Sequence, residues 1–247
     1  MPTFLLPPAC VLRRITRVNN TGRHEVDDML LREEAYDLIC NNKTVACLHC
    51  MPTHLEELAV GHLFTSGMLH NASEITSLRI QHPLAPQQGQ RETGSIRVTT
   101  VSAPLAEDAA KEAQALLTAD EVHRLQADFD TRCVLFRQTG AAHSCALATA
   151  KSILLFYEDI ARHNALDKLI GAMLLQGVSP QGKLMIFSGR LAVDMLEKAV
   201  VSGVRLLIAP GAPSLASVEM AEARQVTLLG FVRKDNINIY TCPHRIV

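Results

Sequence analysis

Tryptophan is absent from the 247 residues, and only three tyrosines and seven phenylalanines occur. Base-stacking platforms and aromatic cages need several exposed rings, so both are poorly supplied. No run approaches the roughly 20 apolar residues of a transmembrane helix, and no membrane partner is expected. An excess of one charge is also missing. Lys+Arg total 24 against 25 Asp+Glu, for a formal net charge of −1. Nothing general then pulls the chain toward nucleic acid or an anionic bilayer, and any anion site must be built locally. The N-terminus, MPTFLLPPACVLRR, has no basic region ahead of a long apolar stretch, so it does not read as a signal peptide. The cysteines are seven, an odd number, and most sit inside apolar segments. That pattern fits reduced thiols of a cytoplasmic protein better than a disulfide framework. Neither a Walker A loop nor a GxGxxG fingerprint is present, and no internal repeat is evident.

What is present is a large apolar fraction, 48%, enough for a sizeable core in one large or two modest domains. CVLRRITRV, RHEVDDMLLRE, YDLICNN and KTVACLHC read as strands, with hairpin turns at NNTG and NNK. THLEELAVGHLFTSGML reads as a helix with Thr53 as N-cap and Glu56 at the capping-box position. HPLAPQQGQRETG is a loop, SIRVTTV a strand, and PLAEDAAKEAQALL an Ala-rich helix. From Thr118 strands and helices alternate. TADEVHRLQADF is a helix boxed by Thr118 and Glu121, CVLFRQ a strand and TGAAHS a turn. ALATAKSILLFY, KLMIFSG, VRLLIAP, VTLLGFVR and INIYTC read as strands. Helices are expected over DIARHNALDKLIGAMLLQG, RLAVDMLEKAVVSG and SLASVEMAEARQ, the last capped by Ser214. The alternation predicts an α/β fold with a buried sheet covered on both faces. The boundary falls near residue 117, between an N-terminal α+β domain (1–117) and a C-terminal α/β domain (118–247).

EDIARHNALDK, residues 158–168, is dense in charge between two apolar runs. At 100° per residue, Arg162, Leu166, Leu169 and Met173 share one stripe, and His163, Asp167, Ile170 and Leu174 the next. A cation in the first helical turn opposes the macrodipole by about 0.3–1 kcal/mol. Two readings offset this. Arg162 can pair with Glu158 and His163 with Asp167 at i,i+4 spacing, or an anion can dock on the helix N-terminus. Two further strand-to-helix turns carry small residues and a cation. FSGRLAVDM has Ser188, Gly189 and Arg190, and IAPGAPSLASVE has Gly211, Pro213 and Ser214. In an open α/β sheet such turns collect at the carboxyl ends of the strands, which makes phosphate or pyrophosphate the natural guest. TGAAH, Thr139 to His143, is a small-residue turn whose histidine is either structural or a phosphate donor. CLHC, with Cys47 and Cys50, has half a zinc-site spacing, extendable to His54. On a strand, however, residues i and i+3 face opposite ways, so no metal is expected there.

These strings together resemble the FdhD family, the formate dehydrogenase accessory proteins. EDIARHNALDK is similar to the family's EDxGRHNAxDK, and TGAAH to TGGxH. SGR with DMLEKAV, APSLASVEMA, TLLGF, IYTCPHRI and the PTHLEELAVGHLFTSGML helix follow the family pattern in order over nearly the whole chain. The resemblance implies a cytoplasmic, usually homodimeric protein that matures formate dehydrogenase. Such proteins pass persulfide sulfur from a cysteine desulfurase to the molybdenum cofactor, bis-molybdopterin guanine dinucleotide, for which GDP is an analogue. It also implies a C-terminal αβα three-layer domain similar to the cytidine deaminase fold. The implied cofactor-binding residues are Thr139, Gly140, His143, Glu158, Arg162, His163, Asp167, Lys168, Ser188, Gly189, Arg190 and Ser214. The segment Phe231, Val232, Arg233, Lys234, Asp235 and Asn236 joins them. The family's sulfur-carrying CxxC follows the strand matching SIRVTTV, where this chain reads VSAPLAEDAAKE without a cysteine. Cys145, beside TGAAH, is then the nearest catalytic thiol, with Cys47 and Cys50 second. Ala161 and Ala141 each replace a family glycine. If no thiol serves, the chain is a cofactor-binding chaperone that carries no sulfur.

Overall fold

The β-forming first half builds two separate sheets in the computed structural model, which describes residues 9–84, 92–101 and 116–247. The expected loop at 82–94 lies partly outside the described residues. So do most of the Ala-rich helix and the cysteine-free VSAPLAEDAAKE segment. β1 (Cys10–Asn19) and β2 (Gly22–Leu31) form an antiparallel ribbon. It is largely exposed and laced by Arg14–Asp27 and Arg17–Asp28 pairs at 3.0 and 3.2 Å. β3 (Glu34–Cys40) and β4 (Lys43–Cys50) turn through Asn41 and Asn42. Both have positive φ, 48° and 65°, as a tight hairpin turn requires and asparagine tolerates. With β5 (Ile75–Gln81) and β6 (Gly94–Thr100) they make a sheet of order β4-β3-β6-β5, in which β3 and β6 run parallel. Helix α1 (Leu55–Thr65) covers one face, packing Leu55, Leu58 and Leu63 over Tyr36, Leu38, Ile96 and Val98. Thr53 is not its cap. His54 takes the cap position with a left-handed φ of 54°, and Thr53 Oγ1 is buried without a partner among the described residues.

The second half forms the expected α/β sheet. Helix α2 (Ala119–Arg132) starts on the Thr118/Glu121 capping box. The next stretch, CVLFRQ, is not a strand but helix α3 (Val134–Thr139). Its apolar triplet finds no strand partner, and Val134 and Phe136 stay exposed. Arg137 instead folds back to donate to the carbonyls of Asp130 and Thr131, satisfying the last turn of α2. Strands β7 (His143–Ala148) and β8 (Ile153–Asp159), helix α4 (Arg162–Leu175) and β9 (Leu184–Phe187) follow. Next come α5 (Val193–Val201), β10 (Leu206–Ile208), α6 (Leu215–Ala223), β11 (Thr227–Arg233) and β12 (Asn236–Ile239). TGAAHS is thus only half a turn, since β7 begins at His143.

The sheet order is β12-β11-β10-β9-β7-β8, with β9, β10 and β11 parallel. One face packs on α4, α5 and α6 through Leu147, Met185, Leu207 and Leu228. The other packs on α2 through Ala146, Ile186, Ile208 and Leu229. The result is three layers, helix on sheet on helix. Leu117 pairs with Ile246, so the last residues of the chain close this layer beside the start of α2. Among the described residues no helix is long and apolar enough to cross a membrane.

Helix α4 is buried along its length from Asn164 to Met173, because α1 covers the side that the sheet does not. Two glycines permit that contact. A Cβ at Gly61 would stand 1.8 Å from the Asp167 carbonyl oxygen, and one at Gly171 would stand 1.9 Å from that of Glu57. Both obstacles are backbone, so neither can move aside. Gly61→Ala is therefore expected to destabilise the fold by about 3 kcal/mol, the upper range for overpacking. An unchanged midpoint in urea denaturation would contradict this packing.

Candidate functional site

The charged stretch 158–168 divides into an interior part and a surface part. Asp159 and Lys168 form an ion pair at 2.7 Å with both side chains fully buried. Asp159 also accepts from the backbone N–H groups of Met51 (3.1 Å) and Ala161 (3.0 Å) and from Asn164 Nδ2 (3.1 Å). Lys168 Nζ donates to the carbonyls of Met51 and Glu158, each at 3.4 Å. Asn164 Nδ2 reaches the His49 carbonyl at 2.7 Å. Asp167 accepts from Lys198 Nζ (2.5 Å) and Thr65 Oγ1 (3.0 Å), and lies 3.2 Å from His62 Nδ1. Asp167 and Lys168 are thus consumed in joining α4 to α1, β4 and α5. Neither lines the cavity that Arg162 helps to enclose. Glu158 accepts from Ser144 Oγ at 3.2 Å. Burial pushes its pKa up, against the Ser144 bond, which lowers it. It lines a separate cavity of about 290 Å³ with Ala9, Met51, Leu135 and Phe156.

The surface part is different. Neither expected i,i+4 pair forms. Arg162 Nη2 and His163 Nε2 both lie 3.2 Å from Asp194 Oδ2, in the first turn of α5. Burial holds the His163 pKa below its ordinary value, although Asp194 pulls it up. Because β9, β10 and β11 are parallel, their following turns share one edge of the sheet. β7 is antiparallel to both β8 and β9, which brings the end of β8 and the start of α4 to that same edge. Arg162, Arg190, Leu191, Ala192, Ala212, Pro213 and Ser214 there enclose a cavity of about 340 Å³. Ser217 Oγ donates to the Leu191 carbonyl (2.9 Å), and the Ser214 N–H reaches the same oxygen at 3.2 Å, locking the two turns together. A Cβ at Gly211 would come within 3.1 Å of the Arg190 Cα, so glycine is what lets the turns close up. Three turns distant in sequence thus converge on one pocket with two guanidinium groups.

A second cavity of about 320 Å³ adjoins it, lined by Phe129, Cys133, Phe136, Arg137, His143, Ser188 and Pro210 among others. Ser188 Oγ accepts from the Ser144 N–H at 2.9 Å, which fixes the start of β7 against the Ser188–Arg190 turn. Gly189 leaves room beside His143, whose Nδ1 would be 3.8 Å from an added Cβ. Burial, and then the nearby Arg162 charge, hold the His143 pKa below its ordinary value. The imidazole is therefore neutral near pH 7 and can donate one hydrogen bond and accept another. Thr139 and Gly140 only terminate α3. Thr139 Oγ1 donates to the Leu135 carbonyl at 2.7 Å, and Gly140 takes the left-handed φ of 70° that ends a helix.

The segment after β11 reaches the same edge. Phe231 has a φ of 50°, strained for a bulky residue, at an irregular step in the β11–β12 pairing. Its N–H donates to the Gly211 carbonyl at 3.3 Å, and its carbonyl accepts from Asn236 Nδ2 at 3.3 Å. Phe231, Arg233, Lys234, Asp235 and Asn236 are exposed beside the cradle. Val232 points into the core at 1% exposure.

The three thiols singled out by the sequence differ in access and ionisation. Cys145 lies inside the sheet at 1% exposure, and burial drives its pKa well above the ordinary thiol value. A sulfur-carrying thiolate must be reachable and ionised, so Cys145 meets neither requirement. Cys47 is exposed and Cys50 buried, so the CLHC thiols diverge as strand alternation demands. Burial raises the pKa of Cys50 to about 12. Burial, then Asp37, raises that of Cys47. Asp194 is the site residue that sequence reasoning missed. An acid in the first turn of a helix has an ordinary structural explanation, and its distance from Arg162 is visible only once the sheet is assembled.

The profile of the FdhD/NarQ family matches residues 31–247. A protein named sulfur carrier protein FdhD from Shouchella clausii is 34% identical, covering 95% of this chain and 96% of its own. Its namesake from Bacillus subtilis is also 34% identical, over 94% of this chain and 98% of its own. A crystal structure described as a formate dehydrogenase accessory protein from Desulfotalea psychrophila superposes with a TM-score of 0.82 at 27% identity. That match covers 97% of this chain and all of the other.

The division of the charged stretch is testable without a ligand. Lys168→Met strands Asp159 in the interior and is expected to lower stability by about 3–5 kcal/mol, as removal of one partner of a buried pair does. Arg162→Met, at a half-exposed position, is expected to change it by less than about 1 kcal/mol. Equal losses in chemical denaturation would contradict the assignment of inner and outer roles.

Proposed function

The chain belongs to the FdhD/NarQ family, and from that premise we propose that it is a formate dehydrogenase accessory protein that binds the molybdenum cofactor as cargo. The observation that carries this reading is the convergence of Arg162, Arg190 and the Ser214 turn on one cavity at the carboxyl edge of the sheet. Bis-molybdopterin guanine dinucleotide carries pyrophosphate groups, and two guanidinium groups at helix-starting turns are suited to hold them. The cavity suits the size of a phosphate group and its immediate neighbours. The adjoining cavity, with Phe129, Phe136 and a neutral His143, offers flat apolar walls and ring hydrogen bonds for a planar heterocycle. Phe231 and the exposed residues after it form a rim for the same guest. The helix–sheet–helix layering also supports a cytidine-deaminase-like domain as the scaffold. Work inside the cytoplasm and assembly as a homodimer are part of the same proposal.

Sulfur carriage to that cofactor belongs to the same proposal, supported by the name its relatives bear, sulfur carrier protein. It requires a persulfide passed from a cysteine desulfurase to a thiolate of this chain and on to the cofactor. The buried or raised thiols described above support the alternative, a cofactor-holding chaperone that moves no sulfur. Two measurements separate these readings. GDP titrated by calorimetry is expected to bind wild type and to lose about tenfold or more in affinity with Arg162→Ala, the scale of one charge-assisted contact. Equal binding by both would remove the cradle. Incubation with a cysteine desulfurase and cysteine, read by intact-protein mass, is expected to add about 32 Da, one sulfur atom, to a thiol of the chain. An unchanged mass would favour the chaperone instead.

A further inference from the structure

Arg162 and Arg190 do not stand in the cradle on equal terms. Arg190 is exposed and has no side-chain partner among the described residues. Arg162 is already engaged: its Nη2 lies 3.2 Å from Asp194 Oδ2, and the same oxygen lies 3.2 Å from His163 Nε2. Asp194 follows Ala192 by two residues, and Ala192 is part of the cavity wall. A carboxylate is thus built into the rim of a pocket that otherwise attracts anions. Its place in the first turn of α5 favours that helix, but any helix-favouring acid would do so without bridging two groups at the start of α4.

The geometry points to Asp194 as the resident counter-ion that limits how tightly the cradle holds its guest, an inference that rests on the cofactor-binding reading above. Its oxygen occupies one of the guanidinium donors that a phosphate would use. Its charge cancels one of the two arginine charges and repels a second anion at short range. A guest with several negative charges, such as a diphosphate, still gains from the remaining attraction, whereas a singly charged anion gains little. When the guest leaves, Arg162 returns to a partner already in place, and no half-buried charge is left stranded. A protein that hands its cargo to another must release it, and a built-in competitor lowers the barrier to release.

The test titrates the full chain with GDP and with inorganic pyrophosphate. Asp194→Asn keeps the size of the side chain and one acceptor for Arg162 while removing the charge. It is expected to tighten binding of both probes by about three- to tenfold, the scale of a partly exposed charge contact. Asp194→Ser, which is favourable at a helix start, is expected to act in the same direction should the Asn variant fold poorly. Glu222→Gln, exposed near the far end of α6, is expected to leave binding unchanged. Unchanged or weaker binding in both Asp194 variants would overturn the inference, weaker binding marking Asp194 as a positioning residue for Arg162. If wild type binds, Arg162→Ala does not, and the Asp194 variants match wild type, the counter-ion role alone fails. If wild type and Arg162→Ala behave alike, the cradle fails and takes the counter-ion role with it.

Discussion

The buried Asp159–Lys168 pair is the interaction on which the rest of the structure depends. Both charges are out of water, so each must find its full set of partners inside the protein. They find them at the end of β4, through the N–H and carbonyl of Met51, and at the end of β8, through the Glu158 carbonyl. One ion pair therefore locks the first sheet to the second, with α4 as the bolt. The glycine contact between α1 and α4 brings the helix backbones close enough for Asp167 to reach Thr65 and His62. With α4 held on several sides, its first turn has a single place to emerge, at the carboxyl edge of the parallel strands.

That placement explains how a nearly neutral chain can offer a cationic pocket. The two guanidinium groups belong to segments 28 residues apart in sequence, and only the strand order brings them together. Small residues then do what larger ones could not. Gly211 lets its turn rest against Arg190, and the Ser214–Ser217 pair ties the start of α6 to Leu191. The acids along α4 and α5 are divided in the same way. Asp167 neutralises Lys198 in the interior, while Asp194 faces the rim.

Much of this is legible in the sequence. The Thr118/Glu121 capping box, the strand–helix alternation and the three turns at one sheet edge follow from spacing and residue type alone. What is not legible has identifiable physical causes. Helical phase gives Asp167 and Lys168 a direction but cannot reveal that α1 covers the face away from the sheet, so their burial goes unseen. The apolar triplet of CVLFRQ has a strand's composition, and only the carbonyls at the end of α2, which Arg137 caps, make it a helix. Cys145 is close in sequence to TGAAH, but β7 starts at His143 and both faces of the sheet are covered, so every side chain from Ser144 to Ala148 is buried. Val232 is buried between exposed Phe231 and Arg233, because strand alternation continues past the irregular step at Phe231.

One anion cradle, built by three turns, is the proposed binding place of the cargo. Hydrogen–deuterium exchange with and without GDP tests it directly. Binding there predicts protection at the start of α4, the Ser188–Leu191 turn and the Ala209–Ser214 turn, extending to the adjoining Phe136–His143 and Phe231–Asn236 segments, with the buried middle of α4 unchanged. Protection centred instead on the cavity beside Ala9, Met51 and Phe156, or no protection anywhere at saturating GDP, would contradict it.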